Sequence, residues 1–100
     1  MSIIYSLDEI RSIATPIAQR HGVDALYLFG SYARGDATSE SDLDFMIEKG
    51  RLRTALQIGG MWSDLEDDFG KEIDLITTGG VYPPMQKYID ENKILIYKKT

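Results

Sequence analysis

In the stretch FGSYARGDATSESDLDF, residues 29–45, a Gly30-Ser31 pair is followed after ten residues by two aspartates one residue apart, Asp42 and Asp44. Residues i and i+2 of a strand share a face, so both carboxylates can address one point in space. That is the arrangement needed to share a pair of divalent ions, which lie roughly 3.5–4 Å apart in sites that steady the attacking and leaving oxygens at phosphorus. Magnesium takes oxygen ligands and keeps substrate phosphates in its shell, so a few carboxylates suffice. Asp74, on the outward face of a later strand, is the natural third carboxylate, able to complete the metal site and accept the proton of an attacking hydroxyl. Gly30 lets a phosphate approach the backbone closely, exposed amides attract anions, and the Ser31 hydroxyl adds a donor. Arg34 is near enough to reach a triphosphate, for which a guanidinium is well shaped. Ser41 is a further nucleotide-binding candidate, although it reads, with Asp36, Ser39 and Glu40, as a plain turn residue.

Each of these features alone is commonplace: two acids at a strand end are usually solvated, and Gly-Ser turns are frequent. Their conjunction is what points to chemistry, so the elements that must position them matter. SLDEIRSIATPIAQRHG opens with the capping-box spacing of Ser6 and Glu9. Leu7, Ile10, Ile13, Ala14, Ile17 and Ala18 recur at helical spacing ahead of Gly22, with a kink or a second helix start, capped by Thr15, expected at Pro16. DALYLFG predicts a buried strand from Ala25 to Phe29. SDLDFMIE predicts a strand with Leu43, Phe45 and Ile47 inward and Asp42, Asp44, Met46 and Glu48 outward. Ala55, Ile58, Trp62, Leu65 and Phe69 define an amphipathic helix closed by Gly70. Gly59 and Gly60 inside it each cost about 1 kcal/mol relative to alanine, which close packing would explain. KEIDLITT is a third strand, with Ile73 and Leu75 inward and Asp74 outward. After Gly79-Gly80, Pro83 and Pro84 open a helix to about Asn92, and KILIYKK ends the chain as a strand. The expected fold is α/β, a small mixed sheet of about four strands with helices packed on it.

The 100 residues, with 43% apolar and 27% charged content, read as one domain spanning 1–100. No apolar stretch approaches the roughly 20 residues that span a bilayer, and no signal peptide is recognisable, so a membrane role is not expected. The absence of cysteine excludes disulfides and thiolate chemistry and fits a reducing, cytoplasmic setting. The single histidine, His21, cannot build a histidine metal cluster and reads as a helix-end residue. With net charge −5 and scattered Lys and Arg, tight binding of nucleic acid by this chain alone is not expected. Trp62 and the tyrosines read as core, and Glu66, Asp67 and Asp68 as a solvated helix face.

Gly30-Ser31, ten residues, then Asp42-Leu43-Asp44 resembles the G-S-x10-D-x-D pattern of the nucleotidyltransferase superfamily that includes DNA polymerase β. The run LFGSYARGDATSESDLDF is similar to the minimal nucleotidyltransferases encoded beside small helical HEPN proteins as toxin–antitoxin pairs, and the likeness spans nearly the whole chain. The resemblance implies an incomplete polymerase-β-like palm, a mixed sheet with helices on one side. It implies Asp42 and Asp44 binding two magnesium ions, Asp74 as third ligand and base, and Gly30 and Ser31 holding the β- and γ-phosphates of ATP. It further implies transfer of AMP to a tyrosine of a HEPN ribonuclease toxin. At this size the chain has no room for a domain that holds a second substrate, so a partner must present it. Two alternatives remain open at this point: a non-enzymatic antitoxin acting by occlusion, and a nucleotidyltransferase acting on RNA or a small molecule. Self-modification at Tyr5, Tyr32, Tyr82 or Tyr97 is a lesser one.

Overall fold

Ser6 and Glu9 meet as their spacing predicts. The Glu9 N–H donates to Ser6 Oγ at 3.1 Å and the Ser6 N–H to Glu9 Oε1 at 2.8 Å, which starts α1 (Leu7–His21). The computed structural model describes residues 4–79 and 82–100. α1 runs through Pro16 without restarting at Thr15. Ser12, whose carbonyl loses its helical partner there, is exposed and can bond to water, while Ile17 and Ala18 beyond the proline are buried and hold the helix on its course.

β1 (Ala25–Phe29) is followed by a helix of one turn, α2 (Gly30–Arg34), where the sequence suggested only a turn. Five residues are too few for helical periodicity to show. β2 (Leu43–Glu48), α3 (Ala55–Phe69), β3 (Ile73–Thr77), α4 (Pro83–Asn92) and β4 (Ile94–Lys98) complete the chain. Gly80, read as part of the turn ahead of α4, lies outside the described residues. The sheet order is β3-β2-β1-β4, with β1 antiparallel to both β2 and β4, and β2 parallel to β3. A parallel neighbour cannot be reached by a tight turn, and α3 is the crossover that joins β2 to β3.

One sheet face carries the core. Leu26, Leu28, Leu43, Phe45, Ile47, Ile73, Leu75 and Ile96 pack there against Ile10, Ala14 and Ile17 of α1 and Met61, Leu65 and Phe69 of α3. Ala55, placed inward by its spacing, is exposed at the start of α3, and Met61 is buried in the helix instead. The opposite face is not bare. Met46, expected to point outward beside the aspartates, is fully buried beneath α4. The Gln86 amide donates to Met46 Sδ at 3.5 Å, and Lys93 Nζ lies 4.3 Å from the Tyr27 ring centre. Strand alternation assigns Met46 to the correct face, but it does not show that a helix forty residues later covers that face.

Close packing does not account for the glycines of α3. A Cβ at Gly59 would meet nothing within 4 Å, and one at Gly60 would only touch His21 Cε1 at 3.9 Å, an ordinary contact. Gly59→Ala is therefore expected to raise stability by about 1 kcal/mol. A thermal melt should show a midpoint higher by about 4–8 °C; an unchanged or lower midpoint would mean that the glycine is required.

Candidate active site

Phe29, the last residue of β1, is the register partner of Asp44, and Asp44 is the register partner of Asp74. Phe29, Asp44 and Asp74 thus lie in a row across three neighbouring strands at one end of the sheet, with Gly30 directly after β1 and Asp42 just ahead of β2. The Asp74 side chain lies close enough to Asp44 to act on its carboxyl. Burial, then Asp74, then the charge of Asp42, push the Asp44 carboxyl up to about 7, and the Arg34 charge opposes them. Among the described residues no three carboxylates or imidazoles form a finished metal cage. Asp44 and Asp74 are paired, and Asp42 enters as a neighbouring charge. The donors are carboxylate oxygens that repel one another, which suits a hard divalent cation such as magnesium.

Gly30 has φ +72°, in the left-handed region. A Cβ built there would lie 2.2 Å from Asp44 Oδ2 and 3.0 Å from its Cγ. The carboxylate of Asp44 therefore leans over a stretch of backbone that only glycine leaves open. The Gly35 and Asp36 N–H groups then donate to the Ser31 carbonyl at 3.0 and 3.1 Å, closing α2. Arg34, at the end of that turn, donates from Nε to Asp36 Oδ2 at 3.4 Å and from Nη1 to Tyr88 Oη at 2.5 Å. Ser41 acts locally. Its Oγ accepts from the Thr38 N–H at 2.8 Å and its N–H donates to the Thr38 carbonyl at 3.0 Å, which shapes the turn leading into Asp42.

The structure thus gathers Gly30, Asp42, Asp44 and Asp74 at one end of the sheet, with Ser31 and Arg34 on the adjoining turn, while Ser41 serves the approach to it.

Sequence reasoning missed the residues that brace this arrangement. Trp62 Nε1 donates to the Ile73 carbonyl at 2.6 Å, fastening α3 to β3 one residue before Asp74. Lys71 Nζ donates to the Tyr32 hydroxyl at 3.4 Å and the Ser39 carbonyl at 3.3 Å, tying the start of β3 to α2 and its following loop. Tyr88 reaches Arg34 from α4. Each pairing joins residues distant in sequence, and no local pattern announces it. Elsewhere, His21 Nε2 lies 2.6 Å from Asp64 Oδ2, and Arg20 donates to the same oxygen at 3.1 Å. His21 and then Arg20 hold the Asp64 carboxyl below its usual range. His21 is thus part of a surface polar cluster between α1 and α3, in addition to its place at the helix end.

Residues 11–100 match the family described as "Polymerase beta, Nucleotidyltransferase". A candidate protein adenylyltransferase of Methanocaldococcus jannaschii is 33% identical over 84 residues, covering 84% of this chain and 90% of that protein. Protein adenylyltransferase MntA of Thermococcus cleftensis is 33% identical over 75 residues, covering 71% of this chain and 76% of its own length. Among solved structures, a candidate minimal nucleotidyltransferase superposes with a TM-score of 0.77 at 28% identity, covering 90% of this chain and 95% of that one. A toxin–antitoxin crystal structure with AMP-PNP gives the same TM-score at 14% identity, covering 90% of this chain and 74% of that one, a likeness of fold alone.

Proposed function

We propose, from the premise that this chain belongs to the polymerase beta nucleotidyltransferase family, that it is an antitoxin which transfers AMP from ATP to a tyrosine of a HEPN-type ribonuclease toxin. The relatives named protein adenylyltransferases support the reaction class, and the fold neighbour from a toxin–antitoxin crystal structure with AMP-PNP supports the partner class. The observation that carries the reading within this chain is that Asp44 and Asp74 stand opposite one another on β2 and β3, with Gly30 directly after their neighbour on β1 and Asp42 directly ahead of β2.

In this reading Asp42, Asp44 and Asp74 hold magnesium, and Asp74 is both third ligand and base. When bound, magnesium supplies charge neutralisation at the phosphates and lowers the cost of charge developing on the leaving oxygen. Gly30 and Ser31 take the β- and γ-phosphates, Gly30 because its missing Cβ leaves the backbone approachable, and Arg34 supplies a guanidinium to the same phosphates. The tyrosine oxygen of the partner bonds to the α-phosphorus as the bond to pyrophosphate breaks. Its phenolic proton passes to Asp74, which is exposed and so accessible to an incoming side chain. Geometry rather than covalent catalysis drives such a transfer: an oriented hydroxyl, an in-line leaving group and matched charge.

The test uses ATP labelled at the α-phosphate, magnesium, this protein and a lysate of its source cells, with the Asp42→Asn/Asp44→Asn double variant alongside. Label on one small protein, lost with the variant, is the expected result. Label on RNA or a metabolite would overturn the choice of substrate. Neutralisation of the toxin in cells by the double variant would overturn the enzymatic reading in favour of occlusion.

A further inference from the structure

We propose that Tyr88 of α4 is a positioning residue for the nucleotide, its hydroxyl holding the Arg34 guanidinium at the edge of the carboxylate cluster. The inference rests on the nucleotidyl transfer proposed above. Arg34 Nη1 donates to Tyr88 Oη at 2.5 Å, across 54 residues of chain. Without that bond the nearest anchor for the guanidinium is Asp36, two residues on and largely exposed, at the longer distance of 3.4 Å. Asp36 alone would draw the side chain outward along the surface. Tyr88 draws it toward α4, and so across the face on which Asp42 and Asp44 stand.

The anchor is itself well founded. α4 is seated by Ile89, fully buried, by Gln86 against Met46, and by Lys93 over Tyr27. Met46 lies two residues beyond Asp44 on the same strand face, so the helix that presents Tyr88 rests on the strand that presents the aspartates. A guanidinium has five N–H donors. Those given to Asp36 and Tyr88 fix its plane, and three others remain to meet phosphate oxygens. A long flexible side chain held in advance loses less freedom when a phosphate arrives. Arg34 is also the cation whose charge reaches Asp44, so its placement bears on the carboxylates as well as on the ligand.

The experiment measures ATP–magnesium binding by calorimetry and transfer to the partner by steady-state kinetics, on the full chain. Tyr88→Phe keeps the ring, and Tyr88 is 41% exposed, so folding is expected to be unaffected. The expected result is a rise of about three- to tenfold in KM and Kd for ATP, with kcat within about twofold, because the lost bond acts on binding. The double variant Tyr88→Phe/Arg34→Lys should be no worse than Arg34→Lys alone, since Tyr88 acts through Arg34. Unchanged KM in Tyr88→Phe, or losses that multiply in the double variant, would overturn the proposal while leaving nucleotidyl transfer intact. A native chain that binds no ATP at all would overturn both.

Discussion

Asp44→Asn should lower AMP transfer by about three orders of magnitude or more, on the order of 4 kcal/mol of transition-state stabilisation, without unfolding the chain. Asparagine keeps the size and much of the hydrogen-bonding capacity of aspartate and removes the charge that a divalent cation needs. The same substitution should raise stability in metal-free buffer, and the sign follows from the titration of the carboxyl. Its ordinary value is 3.8, and in the folded chain it is pushed up to about 7, first by burial and then by Asp74 and Asp42. Below the ordinary value both folded and unfolded chains carry the proton. Between the two values the unfolded chain releases it and the folded chain does not, so stability falls as pH rises from about 4 to about 7 and then levels. Asp44→Asn should flatten that decline and melt higher than the native chain near pH 8 without metal. Magnesium should raise the midpoint of the native chain there and leave the variant nearly unmoved. Transfer retained by the variant would end the metal assignment; equal pH slopes in both proteins would move the titration to another group.

Gly30→Ala should have the second largest effect, and its mechanism separates cleanly from simple strain. A Cβ at φ +72° costs about 1–2 kcal/mol through the left-handed backbone alone. It would also displace the Asp44 carboxylate, whose Oδ2 would lie 2.2 Å away. The displaced atom ends a side chain, so the fold should accommodate it while the metal ligand moves. A shift of that kind is expected to cost about 10²-fold or more in transfer. Gly35→Ala is the control: it has a φ of +84°, but its Cβ would meet nothing within 4 Å. Both variants should melt lower by similar amounts, and only Gly30→Ala should lose activity beyond its loss of folded protein. Equal activity losses in the two would show that backbone strain, rather than the approach to Asp44, is what Gly30 prevents.

The site was legible in the sequence to the extent that it is local. Asp42 and Asp44 are read by the period of a strand, and Gly30-Ser31 by its place directly after a buried run. Asp74 is read by alternation with Ile73 and Leu75, whose burial the structure reproduces. That Asp74 stands opposite Asp44 is a matter of strand order, which hydrophobic pattern does not specify. The one-turn helix after β1 was invisible because its five residues present no repeating face. Met46 shows the limit most plainly: alternation assigned its face, but its burial depends on a helix arriving from residues 83–92. The same holds for Trp62 with Ile73, Lys71 with Ser39, and Tyr88 with Arg34. Polar partners brought together by tertiary structure leave no periodic trace.

The crossover through α3 has a kinetic consequence. Asp44 and Asp74 are thirty residues apart and become neighbours only when β3 docks parallel to β2, a non-local pairing that no tight turn can close. The β1–β2 hairpin alone does not bring the pair together. Catalytic competence should therefore appear in a refolding experiment after the local β1–β2 hairpin has formed, and not with it. A newly made chain would stay silent toward ATP until β3 is in place, so a chain truncated ahead of β3 would lack Asp74 and have no partial activity to offer.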